Sequence, residues 1–77
     1  MDKKIIGAAI KLKRRDKKMR QNELAEKTSL SRNYISDIET GRYMPSVETL
    51  AKIATCLGMD LNTLLVSEIQ DIISVAD

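Results

Sequence analysis

Apolar residues recur along the chain at intervals of three and four positions, the spacing that places side chains on one face of an α-helix. No stretch alternates between apolar and polar residues over the length of a β-strand. This pattern predicts an all-α fold, a compact five-helix bundle with loops of two to six residues. The predicted helices span residues 3–17, 21–28, 32–40, 46–57 and 60–65, and the spacing continues or restarts through 68–76.

Small polar residues and glycines mark the ends of these helices. Ser31 and Ser46 can each accept a hydrogen bond from a free backbone N–H of the following turn. Gly41 and Gly58 can adopt the left-handed conformation in which helices often stop. The positions expected to face inward are Ile6, Ala9, Ile10 and Lys13; then Leu24 and Ala25; then Ile35 and Ile38; then Val47, Leu50, Ala51, Ala54 and Leu57; and finally Leu61, Leu64 and Leu65.

The composition narrows the class of protein. The chain has 77 residues, which suits one domain, and 43% of them are apolar, enough for a small core. One Cys and no His exclude a disulfide framework, and there is no nucleophile motif or Gly-rich phosphate loop. We therefore expect no enzyme activity, no cofactor and no metal. No apolar run reaches the roughly 18 residues of a membrane span and there is no signal peptide, so we expect a cytoplasmic protein without membrane contact.

Charge is distributed unevenly along the chain. Residues 1–20 carry nine Lys or Arg against two Asp, a net charge of +7, although the whole chain carries only +2. Residues 46–77 carry one Lys against five acidic residues, a net charge of −4. A basic N-terminal third indicates a polyanionic partner. From charge alone, a solvated helix face is an equally good explanation.

Residues with a fixed spacing run through the middle of the chain. They read Gln21-x-x-Leu24-Ala25, Leu30-Ser31, Ile35-Ser36-x-Ile38-Glu39-x-Gly41, Pro45-Ser46-x-x-Thr49-Leu50 and Ala54-x-x-Leu57-Gly58. Over about residues 6–65 this pattern resembles the Cro/repressor-type, or Xre, helix-turn-helix family. The resemblance implies a DNA-binding domain over residues 1–65, whose recognition helix, about 32–39, enters the major groove. Ser29 departs from the family, which often has Gly at this turn, and a non-Gly residue there costs about 1 kcal/mol.

The resemblance also implies which residues read bases. Arg32, Asn33 and Asp37 match the positions of the recognition helix that usually contact base edges. Arg32 would suit guanine O6 and N7, Asn33 would suit adenine N6 and N7, and Asp37 could accept from cytosine N4. Tyr34 would pack on a thymine methyl group or reach a phosphate, and Ser36 is a less certain candidate.

Phosphate contacts are expected around the recognition helix and at the start of the support helix. Gln21 matches a family position that grips a phosphate, and Arg20 replaces the usual Thr, Ser or Asn cap before it. A cation at a helix N-terminus costs roughly 0.3–1 kcal/mol, but a phosphate bound there would favour it. Alternatively, Arg20 is solvated and offset by Glu23. The expected phosphate ligands are Lys18, Arg20, Gln21, Ser31, Thr40, Arg42 and Tyr43.

Arg14 and Glu39 match a pair that forms a partly buried salt bridge in some family members, tying the first helix to the end of the recognition helix. We interpret this pair as structural, with Arg15 as the rival partner for Glu39. An ion pair in the interior is costly to break from one side, whereas an exposed pair contributes little. The depth at which the pair is buried therefore determines how much stability is lost when one partner is removed.

The segment 66–77 exceeds what so small a domain needs to cover its core. Its apolar residues would form an exposed patch unless they meet a partner. We predict that the chain forms a homodimer through the fifth helix and this segment, or alternatively that the segment folds back on its own domain. The expected interface residues are Leu65, Ile69, Ile72, Ile73 and Val75.

The leading interpretation is a sequence-specific DNA-binding regulator of transcription. It would bind a pseudo-palindromic operator in double-stranded DNA as a homodimer, with repression as its simplest activity. We expect no small-molecule ligand, because the chain is little longer than the DNA-binding domain. The alternative is a protein-interaction module, such as an antitoxin or a partner-dependent regulator whose C-terminal tail binds another protein.

Overall fold

The computed structural model describes residues 2–60 and 62, and within these residues the chain forms four α-helices and no β-strand. Helix α1 spans Lys3–Asp16, α2 spans Gln21–Thr28, α3 spans Arg32–Glu39 and α4 spans Val47–Leu57. Helices α1 and α2 each pack against both α3 and α4. The all-α prediction is confirmed, with four helices in the described range instead of five. The predicted fifth helix, apart from residues 60 and 62, lies outside the described residues, as do the expected dimer residues Leu65, Ile69, Ile72, Ile73 and Val75.

Local backbone chemistry sets the ends of the helices where the sequence predicted. The Ser31 hydroxyl accepts a hydrogen bond from the Tyr34 N–H at 3.0 Å, and Ser46 caps α4 in the same way. Gly58 ends α4 with a φ of 67°. Ser29 ends α2 in the left-handed region with a φ of 58°, so the turn has the conformation in which the family often places Gly.

Aliphatic side chains form the core, as expected for a chain without Phe or Trp. The buried cluster consists of Ile6, Ile10, Leu24, Ala25, Ile35, Ile38, Leu50, Ile53 and Leu57. The predicted inward face of α4 is wrong at its first residue, because Val47 is 61% exposed while the unpredicted Ile53 is fully buried. Successive residues of a helix are rotated by about 100° around its axis. Val47 therefore lies at the edge of the apolar face that is centred on Leu50 and Leu57.

The buried face of α1 is also rotated relative to the prediction. Ala9 and Lys13 are only half-buried, whereas Gly7 and Arg14 are buried beside Ile6 and Ile10. The backbone of α1 approaches the end of α3 so closely that a Cβ atom on Gly7 would lie 2.8 Å from the Glu39 carbonyl oxygen. Glycine is therefore required at position 7, because any side chain would push the two helices apart.

None of the helices in the described part of the chain is long and apolar enough to cross a lipid bilayer. The longest, α1, has 14 residues and carries six Lys or Arg. Its exposed face is basic and its buried face meets α3 and α4. The fold therefore places the basic N-terminal third next to the helix that the resemblance assigns to the major groove.

Candidate nucleic-acid interface

The outer face of α3 is polar and open at its N-terminal end. Arg32 and Asn33 follow the cap residue Ser31 and are exposed. Ser36 and Asp37, one turn later, are half-buried. On its other face, Ile35 and Ile38 are completely buried in the core. The apolar contacts thus fix the rotation of α3 about its axis, and this rotation presents Arg32 and Asn33 to solvent as a pair of adjacent hydrogen-bonding side chains.

A buried polar network holds the other end of α3. The Glu39 carboxylate accepts hydrogen bonds from Arg14 Nε at 2.6 Å and from Arg14 Nη2 at 3.0 Å. The third nitrogen of Arg14 donates to the backbone oxygen of Met19 at 2.7 Å. No buried side-chain nitrogen or oxygen in the described residues lacks a hydrogen-bond partner. A fully satisfied network in the interior imposes one arrangement on the elements that it joins.

The same carboxylate also holds the start of α2. Gln21 Nε2 donates to Glu39 Oε1 at 3.0 Å, which places the first residue of α2 beside the last residue of α3. The expected phosphate ligand Gln21 therefore has one amide hydrogen committed within the protein and keeps its second hydrogen for another acceptor. Arg15, the rival partner of Glu39, is exposed on the outside of α1.

The N-terminus of α2 has no acceptor side chain at its cap position. Arg20 occupies this position and is exposed, and a guanidinium group has no lone pair with which to accept the free N–H groups of the first turn. A capping box has two reciprocal hydrogen bonds between side chains and backbone N–H groups. Only the bond from Glu23 is possible here, and its carboxylate accepts from the Arg20 N–H at 3.3 Å. The partial positive charge at this helix end thus coincides with a cationic side chain.

The loop that follows α3 is tied back to the helix. The N–H groups of Arg42 and Tyr43 both donate to the Asp37 carbonyl oxygen, at 2.9 and 3.2 Å, and the Thr40 hydroxyl donates to it at 3.2 Å. Arg42 Nη1 lies 3.8 Å from Asp37 Oδ1, in an exposed ion pair. Such a pair contributes only about 0–1 kcal/mol, so the Arg42 side chain can exchange Asp37 for another anion at little cost.

The only two aromatic residues of the chain meet beside α3. The rings of Tyr34 and Tyr43 are 5.1 Å apart with an interplanar angle of 66°, an edge-to-face contact. Partial burial raises the pKa of Tyr34 above its ordinary value of 10, and the neighbouring Tyr43 raises it further. At neutral pH Tyr34 therefore keeps its hydroxyl proton and can donate a hydrogen bond. Sequence spacing gave no sign of this contact, because the two residues are nine positions apart and only the loop brings them together.

Lys18 lies in the turn between α1 and α2. It is exposed, and its φ of 56° makes it, with Ser29, one of two non-glycine residues with left-handed backbone among the described residues. Four residues, 17–20, connect the end of α1 to the start of α2. The expected phosphate ligands Lys18 and Arg20 thus stand on the same short connection.

A short helix that braces a second helix across a left-handed turn, with polar side chains exposed on the second helix, defines a helix-turn-helix domain. The helix-turn-helix family model matches residues 10–64. The chain belongs to this family and is of the Cro/repressor type. The resemblance drawn from the spaced residues is thus confirmed.

Relatives in a Bacillus phage and a solved DNA complex share this architecture. The ImmF control region 10 kDa protein of Bacillus phage phi105 is 50% identical over 70 residues, which cover 91% of this chain and 78% of that protein. The immunity repressor protein of the same phage is 43% identical over 63 residues, covering 82% of this chain but only 44% of that protein. The crystal structure of SinR, the master regulator for biofilm formation, in complex with DNA superposes with a TM-score of 0.73 at 38% identity, covering 78% of this chain and 97% of that one.

Proposed function

We propose that this helix-turn-helix regulator of transcription is a repressor that binds a pseudo-palindromic operator as a homodimer, with α3 in the major groove. The observation that carries the proposal is the position of α3. Its inner face is buried, its C-terminal end is held by the Arg14–Glu39 pair, and its N-terminal Arg32 and Asn33 are exposed. A helix presented in this way fits a groove about 12 Å wide. The phi105 immunity repressor and the SinR–DNA complex support the assignment.

The base-reading residues in this proposal are those at the open end of α3. Arg32 reads guanine and Asn33 reads adenine, because each can form two hydrogen bonds with the major-groove edge of that base. Asp37 accepts from cytosine once Arg42 leaves it for a phosphate. Tyr34 is half-buried against Tyr43, and in this proposal it packs on a thymine methyl group or reaches a phosphate. Ser36 is a secondary candidate one turn along the helix.

The phosphate-binding residues surround α3 at both ends. At the start of α2, one phosphate would accept from the exposed Arg20, from the second amide hydrogen of Gln21 and from the uncapped N–H groups. The loop after α3 contributes further contacts. The proposed set is Lys18, Arg20, Gln21, Ser31, Thr40, Arg42 and Tyr43.

Dimerisation supplies the second half-site in this proposal, through Leu65 and the apolar residues of segment 66–77. The described surface has an exposed apolar residue on α1: Leu12 is 72% exposed and lines a recess of about 420 Å³ with Ala9 and Met59. An exposed apolar patch favours association. Two copies of α3 would then meet half-sites about 34 Å apart.

Selection of bound sites from random duplex DNA, combined with a measurement of mass in solution, tests the proposal. A palindromic consensus bound by a particle of twice the chain mass is the expected result. A monomer without sequence preference would contradict the proposal. A monomer that dimerises only with a second protein would instead favour the alternative, in which the C-terminal tail serves as a protein-interaction segment of a partner-dependent regulator.

A further inference from the structure

The first turn of α1 lies directly on the loop that leaves α3. A Cβ atom placed on Gly41 would lie 2.7 Å from Lys4 Cγ and 2.9 Å from Lys4 Cα, so the Lys4 backbone and stem cover this glycine. One turn along α1, Gly7 makes an equally close approach to the Glu39 carbonyl oxygen. These two contacts fix the position of α1 relative to the loop. Lys4 nevertheless remains exposed as a residue, because only its stem is covered.

This contact places Lys4 beside a predicted phosphate ligand. Arg42 follows Gly41 directly in the chain, and its side chain is 80% exposed. The first turn of α1 contains no acidic residue, and the exposed pair of Arg42 with Asp37 contributes little stability. The carboxylate of the cap residue Asp2 accepts from the Lys4 N–H at 2.9 Å, which holds it at the backbone of the first turn. Both cations are therefore free to bind an anion at this loop.

Two other cations of the basic N-terminal third form ion pairs within the protein. Arg14 is buried with Glu39, and Lys13 lies 3.8 Å from Asp16. Lys13 is also nine positions from Lys4, about 180° around the helix, and faces the recess lined by Leu12 and Met59. The basic residues of α1 therefore lie at different positions around the helix. Among them, Lys4 packs on the loop after α3.

We propose that Lys4 binds a DNA backbone phosphate next to the phosphate held by Arg42, which extends the DNA interface from the helix-turn-helix unit onto the first helix. The inference rests on the proposed DNA-binding function and adds a contact outside the spaced residues of the family pattern. Lysine suits this task as a point charge on a flexible stem. Its contribution is to affinity and register, because phosphate contacts carry no base information.

The experiment compares Lys4→Gln with Lys13→Gln, which removes the same charge from the opposite face of the same helix. Binding to duplex DNA of mixed sequence is measured by fluorescence anisotropy between about 50 and 200 mM salt, and each phosphate contact contributes about 0.9 to the slope of log affinity against log salt. Lys4→Gln should lower that slope by about one contact, Lys4→Arg should restore it, and Lys13→Gln should leave it at the wild-type value. Circular dichroism and thermal unfolding of each variant check that the fold is intact.

The outcomes separate this inference from the proposed function. If wild-type protein binds DNA but Lys4→Gln and Lys13→Gln change the slope equally, the lysine contact is refuted while the proposed function stands. If Lys4→Gln alone lowers the slope but selection finds no sequence preference, the phosphate contact is supported and sequence-specific repression is refuted.

Discussion

The Arg14 guanidinium and the Glu39 carboxylate join α1 to the last residue of α3 by two hydrogen bonds, Nε to Oε2 at 2.6 Å and Nη2 to Oε1 at 3.0 Å. The side chains are 9% and 1% exposed. Because Glu39 also accepts from Gln21, one carboxylate connects three helices at a single point. The pair lies on the buried side of α3, away from its exposed polar face. It therefore helps to fix the position of that face without forming part of it.

Glu39→Ala should destabilise the protein by about 3–5 kcal/mol, because it leaves the Arg14 charge buried without a partner. Urea unfolding followed by circular dichroism measures the free energy. The double variant Arg14→Met with Glu39→Met is the control, and it should recover most of the loss since an apolar pair of similar volume needs no charge compensation. Equal destabilisation by the single and double variants would show that packing, not charge, determines the effect.

Arg32→Ala should cost about 1–3 kcal/mol of binding to the selected operator and relax the preference at one base pair. The physical reason is the loss of a two-point hydrogen bond to one base edge. Affinity is measured for the operator and for variants of it at each position. Lys52→Ala, an exposed cation on α4, is the matched control and should leave the preference unchanged. A uniform loss across all sequences would assign Arg32 to the phosphates instead.

Arg20→Ala should weaken binding to every duplex alike and reduce the salt slope by about one contact. In the proposed complex the side chain and the uncapped helix end bind the same phosphate, so removing the cation should affect affinity without affecting sequence preference. Arg20→Ser separates the two contributions. It loses the charge but supplies a cap acceptor, which should stabilise the free protein by about 1 kcal/mol. If the slope does not change, Arg20 is a solvated residue offset by Glu23.

Gly7→Ala should destabilise the fold by about 1–3 kcal/mol, because the new Cβ overlaps the carbonyl groups at the end of α3. The direction of the change in stability distinguishes a close helix contact from a free helix surface. On a free helix surface the same change would be stabilising by about 1 kcal/mol through helix propensity. Ala8→Gly, at the next and exposed position, serves as the control and should cost about that amount. An increase in the melting temperature of Gly7→Ala would show that α1 and α3 have room to separate.

Features that depend on neighbouring residues could be predicted from the sequence. The caps Ser31 and Ser46 and the glycine stop at Gly58 were expected, because each reflects hydrogen bonding or backbone sterics within one turn of the chain. The left-handed turn at Ser29 was implied by the family resemblance. The family resemblance depends on the same kind of information, since its residues recur at fixed spacing. The sequence by itself thus determined the four described helices, the family and the identity of the polar face of α3.

Contacts between distant segments were decided only by the tertiary structure. Helical spacing on α4 is compatible with two overlapping apolar faces, one that includes Val47 and one that includes Ile53. Packing against α1 and α2 buries Ile53 and leaves Val47 exposed. Spacing likewise gave no reason for Gln21 to donate to Glu39 or for Lys4 to lie on Gly41. Each of these depends on where every other helix stands, because a close-packed interior admits one mutual arrangement of its elements. Local chemistry fixed the helices, and their joint packing decided which charges stand beside α3.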